Sequence, residues 1–360
     1  MSTGKRGAIG KEDFFFHNPS AGTVEQTFAR TTSAGGTTPI TKLSALALPV
    51  LDAPVLSGAK TPFEKLADTQ AAKNVETCLA EVRKNMTFYK NFESYGGLAG
   101  AGIASADATR NTQVFNQIIA DIQATGRPGG IFFPGGRYEF KRIGGTVACL
   151  NIPIIQNLVL VGQSVGSMLA VHSTDTAASG LFDCVDTVGL IMHQLTLDCT
   201  GGGNPSLAVT CTTAAITDMV LDRVFTVGGG LGITLTGTKE FPGNRYTIQD
   251  CLFNGNIGEG LLASGFGGGR IYRNTFAGSQ NVGINLAGTT DQYMAETEVI
   301  GNYMTGAEAY IQINRTGVFS DALHKGFTIC ANRISNGDIL LIGINNIECS
   351  SNFVYNGGIL

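Results

Sequence analysis

Polar and apolar positions repeat in one pattern seven times along the second half of the chain. Every repeat contains one polar residue with an apolar residue two places after it, and six repeats also have an apolar residue two places before it. The polar residues are His193, Asp222, Asp250, Asn274, Asn302, Asn332 and Asn352. Because alternate residues of an extended chain share one face, the pattern predicts short β-strands.

The spacing of these repeats predicts how the strands are arranged. Successive polar residues are separated by 20 to 30 positions, which leaves room for several short strands in each repeat. A repeat of this length suits one coil of a parallel β-helix, in which each coil pairs edge to edge with the next. A second apolar strand follows in most repeats and should contribute one column of core side chains, namely Ile233, Leu235, Ile284, Leu286, Ile311 and Ile313.

The asparagines at the last four polar positions have a physical explanation in a stacked fold. A tight corner between strands often requires a left-handed backbone conformation, which asparagine tolerates. Equivalent corners on neighbouring coils lie about 4.8 Å apart, so one side-chain amide can hydrogen-bond to the next. We therefore expect a ladder of asparagines in the left-handed conformation.

A helix and a first strand precede the repeats. Apolar residues at helical spacing are Val114, Ile118, Ile119 and Ile122. Gly126 ends this helix, whose apolar face can cap the open end of the β-helix core. The stretch GGIFFPGGRYEF, residues 129 to 140, then starts the first coil, with Ile131 and either Phe133 or Phe132 entering the core according to register.

The stretch from Tyr95 to Phe140 resembles the entry segment of the pectate-lyase-like, single-stranded right-handed β-helix superfamily, especially bacteriophage tailspikes. That segment contains an acidic-threonine pair, a capping helix, and a strand entry with glycines, a proline and a tyrosine. The matching residues here are Asp107, Thr109, Gly129, Gly130, Pro134, Gly136 and Tyr138. The resemblance implies an all-β protein, a right-handed parallel β-helix with a capping α-helix from residue 95 to 360.

The resemblance also implies a role for the region before the coils. Residues 1–94 show no repeat and include a predicted helix from 63 to 91. In phage β-helix proteins such a region generally anchors the protein to the particle. We therefore expect a virion-anchoring or assembly region here, with other virion proteins as partners.

The superfamily includes pectate lyases, polygalacturonases, alginate-modifying enzymes and phage proteins that bind or cleave bacterial surface polysaccharide. Polygalacturonase-like enzymes carry Asn-Thr-Asp, Asp-Asp and Gly-His-Gly motifs, and this sequence contains none of them. The resemblance favours a phage virion structural protein, tailspike-like or a short spike or decoration protein, for attachment to host polysaccharide or for particle assembly. The alternatives are a polysaccharide depolymerase, hydrolase or lyase, and a secreted pectin-type enzyme.

Composition and charge narrow the choice of partners. Charged residues make up 14% of the chain, glycine contributes 49 residues, and the formal net charge is -4, which is typical of strands joined by tight turns. Lysine and arginine form no run or stripe, which argues against nucleic acid.

The first 94 residues give no sign of export or membrane insertion. The N-terminus lacks the apolar segment of a secretory signal. The most apolar early stretch, 43–56, is interrupted by Pro49, Asp52 and Pro54 and is too short to span a bilayer. We expect synthesis in a host cytoplasm and location in the virion, without membrane insertion.

The eight cysteines are predicted to be buried thiols. They are Cys78, Cys149, Cys184, Cys199, Cys211, Cys251, Cys330 and Cys349. No pair has the spacing of a zinc site, and no signal peptide points to an oxidising compartment. A disulfide framework is the alternative, and we predict neither a metal nor another cofactor.

Carboxylates on the loops that vary between coils are the candidates for catalysis, because insertions in a solenoid collect on one face. These candidates are Glu240, Asp291, Glu296 and Asp321. A second choice is Asp222 with Asp250, which the repeat would place about 4.8 Å apart, near the separation of about 5 to 5.5 Å in retaining glycosidases. His193 could share their proton. Alternatively, both aspartates are acidic members of the asparagine ladder.

The same loops carry the candidates for carbohydrate binding. These are Phe241, Arg245, Tyr293, Arg315, Phe319 and His324, whose rings and charges suit sugar faces and hydroxyls. Ordinary solvated loops are the alternative. The repeat pattern continues to the last residues of the sequence, and an open β-helix end invites pairing. We therefore expect a homo-oligomer, namely a trimer, or a second protein that covers this end.

Overall fold

The computed structural model describes residues 88–175, 180–200, 205–213, 217–238, 240–278, 282–289, 296–306, 310–316, 326–344 and 346–360, together with two strands near the N-terminus. The chain divides into two units, Met1–Thr87 and Phe88–Leu360. In the first unit, β1 (Thr27–Thr31) and β2 (Thr37–Lys42) pair antiparallel. Residues 63–87 of the predicted N-terminal helix lie outside the described residues.

The second unit begins with a strand where the sequence predicted the end of that helix. β3 (Tyr89–Asn91) pairs in parallel with β4 (Gly129–Phe133). The helix prediction is therefore wrong for residues 89–91, because edge pairing with the first coil overrides local helix propensity. A 3-10 helix, Glu93–Tyr95, follows.

The rest of the second unit is a parallel β-solenoid, which confirms the predicted fold class. Sheet 1 contains β3, β4, β7 (Leu158–Gly162), the first half of β10 (Ile191–Asp198), the first half of β12 (Thr217–Val227), β14 (Gly243–Gln249), β17 (Phe266–Tyr272), β20 (Glu298–Ile300), β23 (Phe327–Cys330) and β26 (Ile347–Ser350). Sheet 2 contains β5 (Gly136–Phe140), β8 (Ser167–Val171), the second halves of β10 and β12, β15 (Leu252–Asn254), β18 (Thr275–Ala277), β21 (Tyr303–Thr305), β24 (Arg333–Ser335) and β27 (Phe353–Tyr355).

Sheet 3 completes each coil. Its strands are β6 (Leu150–Ile152), β9 (Phe182–Val185), β11 (Leu207–Thr210), β13 (Ile233–Thr236), β16 (Glu259–Ser264), β19 (Val282–Thr289), β22 (Ile311–Thr316) and β25 (Ile339–Ile342). All these strands pair in parallel with their equivalents in the neighbouring coils. A chain that stacks in this way presents the same column of positions on the same face in every coil.

The core follows the predicted columns. The six sheet 3 residues predicted to lie inside are all no more than 1% exposed, which confirms that prediction. In the first coil Ile131 and Phe133 are buried and Phe132 faces outward. The seven described cysteines are thiols, and those in the core are Cys149, Cys184, Cys199, Cys211 and Cys251.

The predicted capping helix is α1 (Ser105–Thr125). It buries Phe115, Ile118, Ile119 and Ile122 against the first coil. Gly126 follows with φ 61° and donates its N–H to the carbonyl of Gln123, a left-handed helix end that glycine favours. The helix therefore ends at the glycine that the sequence predicted.

The corner between sheets 1 and 2 contains the asparagine ladder at the predicted asparagines, but the left-handed residue lies one position before each of them. In each coil the residue before the ladder position has positive φ, and these residues are Gln194, Arg223, Asp250, Arg273, Gly301, Ala331 and Ser351. The asparagines themselves point inward, and Asn274, Asn302 and Asn332 are each 1% exposed. The prediction that asparagine adopts the left-handed conformation is wrong, because its amide is needed inside the corner.

The ladder hydrogen bonds are continuous from coil to coil. The backbone N–H and side-chain Nδ2 of Asn302 both donate to Oδ1 of Asn332 at 3.0 Å. Nδ2 of Asn302 also donates to the carbonyl of Ile271 in the preceding coil at 2.9 Å. The same pattern joins Asn274 to Asn302 and Asn332 to Asn352. Each buried amide is thus satisfied by its neighbours.

Candidate functional site

The predicted loop residues fall into two groups. Asp291, Tyr293, Phe319, Asp321 and His324 lie outside the described residues. Their proposed roles stay predictions.

The remaining predicted residues lie in or beside strands. Glu240 and Glu296 are exposed, and Arg315 lies in β22. Phe241 is half-buried and packs against the core, while its N–H donates to Oγ1 of Thr238 at 3.0 Å. Phe241 therefore anchors its loop as well as contributing to the surface.

Arg245 and Glu296 share a second left-handed corner, at the start of the sheet 1 strands. Successive coils place Asp218, Arg245, Gly268 and Glu296 in one column, each with positive φ. Arg245 donates to Asp218 at 2.8 Å, and both side chains are mostly exposed. The fold thus brings Arg245 and Glu296 to one edge, two coils apart.

Asp222 and Asp250 do not occupy equivalent positions. Asp222 pairs in register with Gln249, and Asp250 follows one position later in the left-handed corner. The predicted equivalence is wrong because one left-handed residue per coil interrupts the alternation on which the alignment rested. Neither aspartate belongs to the asparagine ladder, where Cys251 takes the place next to Asn274.

Each of these aspartates is held by basic side chains. Oδ2 of Asp222 contacts Nδ1 of His193 at 2.7 Å and Nη2 of Arg223 at 3.2 Å. Arg273 donates two hydrogen bonds to Asp250, at 2.8 and 2.7 Å. The hydrogen bond from Arg273 holds the pKa of Asp250 below its usual range. A general acid needs the opposite shift, so Asp250 is poorly suited to that role.

A different set of residues forms a groove on the outer face of sheet 2. Tyr303, Arg333 and Phe353 stack in register on three successive coils. The Arg333 guanidinium lies 5.7 Å from the ring centre of Tyr303 and 5.8 Å from that of Phe353. Ser335 and Tyr355 form the next column on the same face. Together with Ile334 these residues line a groove of about 300 Å³.

The shape of the groove follows from the side chains in its two columns. The first column carries long side chains, whereas the second carries Ala277, Thr305 and Ser335 before it reaches Tyr355. Small side chains beside long ones leave an open channel on a pleated surface. Phe353 and Tyr355 are 58% and 57% exposed and Tyr303 is 40% exposed, so large aromatic surfaces face solvent here.

The sequence contains a local signal for this groove that the repeat pattern alone does not reveal. Tyr303, Arg333 and Phe353 each follow a ladder asparagine directly. Because the asparagine points inward, the next residue points outward. The outward column can be recognised in the sequence only when the left-handed residue is placed one position before each asparagine.

No three histidine, cysteine, aspartate or glutamate side chains among the described residues cluster as metal ligands would. Of the described helices, none has the length and apolarity needed to cross a membrane.

No protein-family model matches this chain, and no curated protein matches it. Similar solved structures include the Agl-KA catalytic domain, with 12% identity, a TM-score of 0.42, and coverage of 75% of this chain and 46% of that one. DFA-IIIase from Arthrobacter chlorophenolicus A6 has 18% identity and a TM-score of 0.42, with coverage of 70% and 69%. ORF18 of Geobacillus virus E2 has 10% identity and a TM-score of 0.30, with coverage of 92% and 66%.

This chain spans less than half the length of the Agl-KA catalytic domain. At such identities the similarity concerns the solenoid fold alone. Fold does not determine activity, so the function has to be argued from the surface of this chain.

Proposed function

We propose that this chain is a phage virion protein, tailspike-like or a short spike or decoration protein, that attaches the particle to a host surface polysaccharide. The observation that carries the proposal is the groove lined by Tyr303, Arg333, Phe353 and Tyr355. Exposed aromatic side chains in such a cluster mark an interaction site more often than an ordinary surface.

The groove has the chemistry that sugars require. Aromatic rings offer flat apolar faces to the C–H surfaces of a pyranose, and the Ser335 and Tyr355 hydroxyls can exchange hydrogen bonds with sugar hydroxyls. These side chains stand on neighbouring strands of one sheet. A rigid sheet fixes their spacing before a ligand arrives, which lowers the entropic cost of binding.

A polysaccharide depolymerase is the competing function. Asp250 is bound to Arg273, and Asp222 is bound to His193 and Arg223, which favours attachment over cleavage at that corner. Glu240 and Glu296 remain the described carboxylates to test for cleavage.

The test of attachment is a binding assay of the full chain against lipopolysaccharide and capsule from candidate hosts. The double variant Phe353→Ala/Tyr355→Ala should bind at least tenfold more weakly than the wild type, since aromatic anchors dominate such contacts. Ile257→Ala is the matched control, because Ile257 is 70% exposed and apolar but lies outside the groove. Equal binding by wild type and double variant would rule out the groove as the attachment site.

The same incubations test cleavage. If wild-type protein releases new reducing ends or unsaturated uronates, and the double variant Glu240→Gln/Glu296→Gln does not, the function is depolymerisation and not attachment alone. Mass spectrometry of purified particles tests the virion location. Light scattering tests the trimer, which should have about three times the 37.6 kDa mass of the chain.

A further inference from the structure

We infer that the groove on sheet 2 recognises an acidic polysaccharide, with Arg333 as the group that binds the ligand's carboxylate or sulfate. This inference rests on the proposed attachment function and adds the chemical class of the ligand. Arg333 is the charged member of the groove lining, which otherwise consists of three aromatic residues, a serine and an isoleucine.

Arg333 differs from most described arginines in its partners. Six others lie within 4.0 Å of a carboxylate, and these are Arg137, Arg142, Arg223, Arg245, Arg270 and Arg273. Within the described residues, the side chain of Arg333 contacts the rings of Tyr303 and Phe353. Its positive charge is therefore not neutralised by a described acid and is available to a ligand.

The two rings also prepare the guanidinium for binding. Cation–π contact with two rings restricts the rotation of a long side chain and leaves its N–H groups able to donate to a ligand. A planar guanidinium held in this way can donate two parallel hydrogen bonds to a carboxylate or sulfate. Arg333 is exposed, so these donors open on the groove and can be reached by a polymer.

The remaining groove residues suit the sugar that carries the acid. Phe353 and Tyr355 are two residues apart on β27 and face the same side, so they stand roughly 6.6 Å apart along the strand. Ser335 lies beside Tyr355 on the next coil. An acidic sugar can therefore place its charge on Arg333 and its ring against the aromatic side chains.

A second copy of this chain is the other occupant that the apolar surface could accept. Ile359 and Leu360, in the same terminal coil, are 53% and 69% exposed. An interface between copies would bury the aromatic rings without requiring an acid opposite Arg333. The oligomeric state of each variant therefore has to be measured together with ligand binding.

The experiment is a glycan array printed with matched pairs: uronate oligosaccharides and their carboxyl-reduced forms, and sulfated oligosaccharides and their desulfated forms. Wild-type protein should prefer the acidic members. Arg333→Gln should bind them about tenfold or more weakly, with a correspondingly higher Kd, and should bind the neutral members almost unchanged. Arg333→Lys should lose less, since it keeps the charge but not the planar fork. Arg127→Gln is the control, because Arg127 is exposed but outside the groove.

The outcomes separate the two proposals. Binding without preference for acids, or an unchanged preference in Arg333→Gln, would overturn the acidic ligand and leave attachment standing. Absence of binding to every glycan and to host polysaccharide, with Phe353→Ala/Tyr355→Ala dissociating an oligomer, would overturn both and assign the groove to self-association. Weaker wild-type binding to the acidic members in high salt would support the charge contact.

Discussion

Removing one amide from the asparagine ladder should destabilise the solenoid more than its small volume suggests. Asn302→Ala deletes four contacts of the Asn302 side chain. Its Nδ2 donates to Ile271 and Asn332, and its Oδ1 accepts from both the backbone N–H and the Nδ2 of Asn274, all at 2.9 to 3.0 Å. Asn302 is 1% exposed, so water cannot replace the lost partners without entering the core.

The cost can be worked out from these contacts. The backbone N–H of Asn274 loses its Asn302 acceptor inside the protein, which costs about 2 kcal/mol. The other three contacts contribute a net ~0.5 to 1 kcal/mol each, because Nδ2 of Asn274 and Oδ1 of Asn332 keep other partners. The sum is about 4 kcal/mol, equivalent to roughly a thousandfold change in an opening equilibrium.

Hydrogen exchange read by mass spectrometry on peptides around residue 274 is the direct assay, since a solenoid need not unfold as one unit. Protection should fall by about three orders of magnitude in Asn302→Ala. Asn254→Ala is the control, because Asn254 is an exposed strand-end amide whose replacement should change stability by less than about 0.5 kcal/mol. Similar protection in both variants would refute the ladder as a stabilising element.

Three further predictions concern single side chains. Cys251→Asn should increase the free energy of unfolding by about 1 kcal/mol and so raise the midpoint of urea unfolding. The Cys251 thiol already imitates a ladder amide, because it accepts a hydrogen bond from the Val224 N–H at 3.4 Å. A lower midpoint would contradict this. Desolvation alone would raise the pKa of Asp186, but hydrogen bonds from Thr213 and Thr212 hold it below its usual value. The stability that ionised Asp186 contributes to the folded state is therefore complete above the unfolded pKa of about 3.9 and is lost in stronger acid. Asp186→Asn should unfold at a lower urea concentration than wild type at pH 7, and the two midpoints should converge towards pH 2. Burial raises the pKa of Cys199 to about 11 and of Cys251 to about 12, so a thiol reagent at pH 8 should label both only after unfolding.

The sequence predicted the core because the core repeats. Ile284 and Ile311 pair in register on neighbouring coils, and an apolar column of this kind has one arrangement that buries it. The capping helix was equally accessible, since its apolar face and Gly126 are local signals. Both features depend on short-range pattern and on burial, which a single sequence displays directly.

The position of the left-handed residue within the corner could not be predicted in the same way. The left-handed position is held by Arg223, Asp250, Arg273 and Ala331 among others, and most of these residue types have no preference for that conformation. Stacking imposes the conformation on whatever residue stands there. An alignment that assigns the left-handed backbone to asparagine therefore shifts Asp222 and Asp250 away from their true columns.

The same corner connects stability to the proposed binding surface. Asn302, Asn332 and Asn352 are bonded inward, and each is followed by one member of the outward column. Because the ladder holds each asparagine inward, the next residue points towards solvent, and these residues are Tyr303, Arg333 and Phe353. The regular spacing of the ladder places the guanidinium between the two rings. A loop could carry the same three side chains but would not hold them in one line before a ligand arrives. The buried amides therefore contribute to recognition through the geometry they impose, although none of them touches the groove.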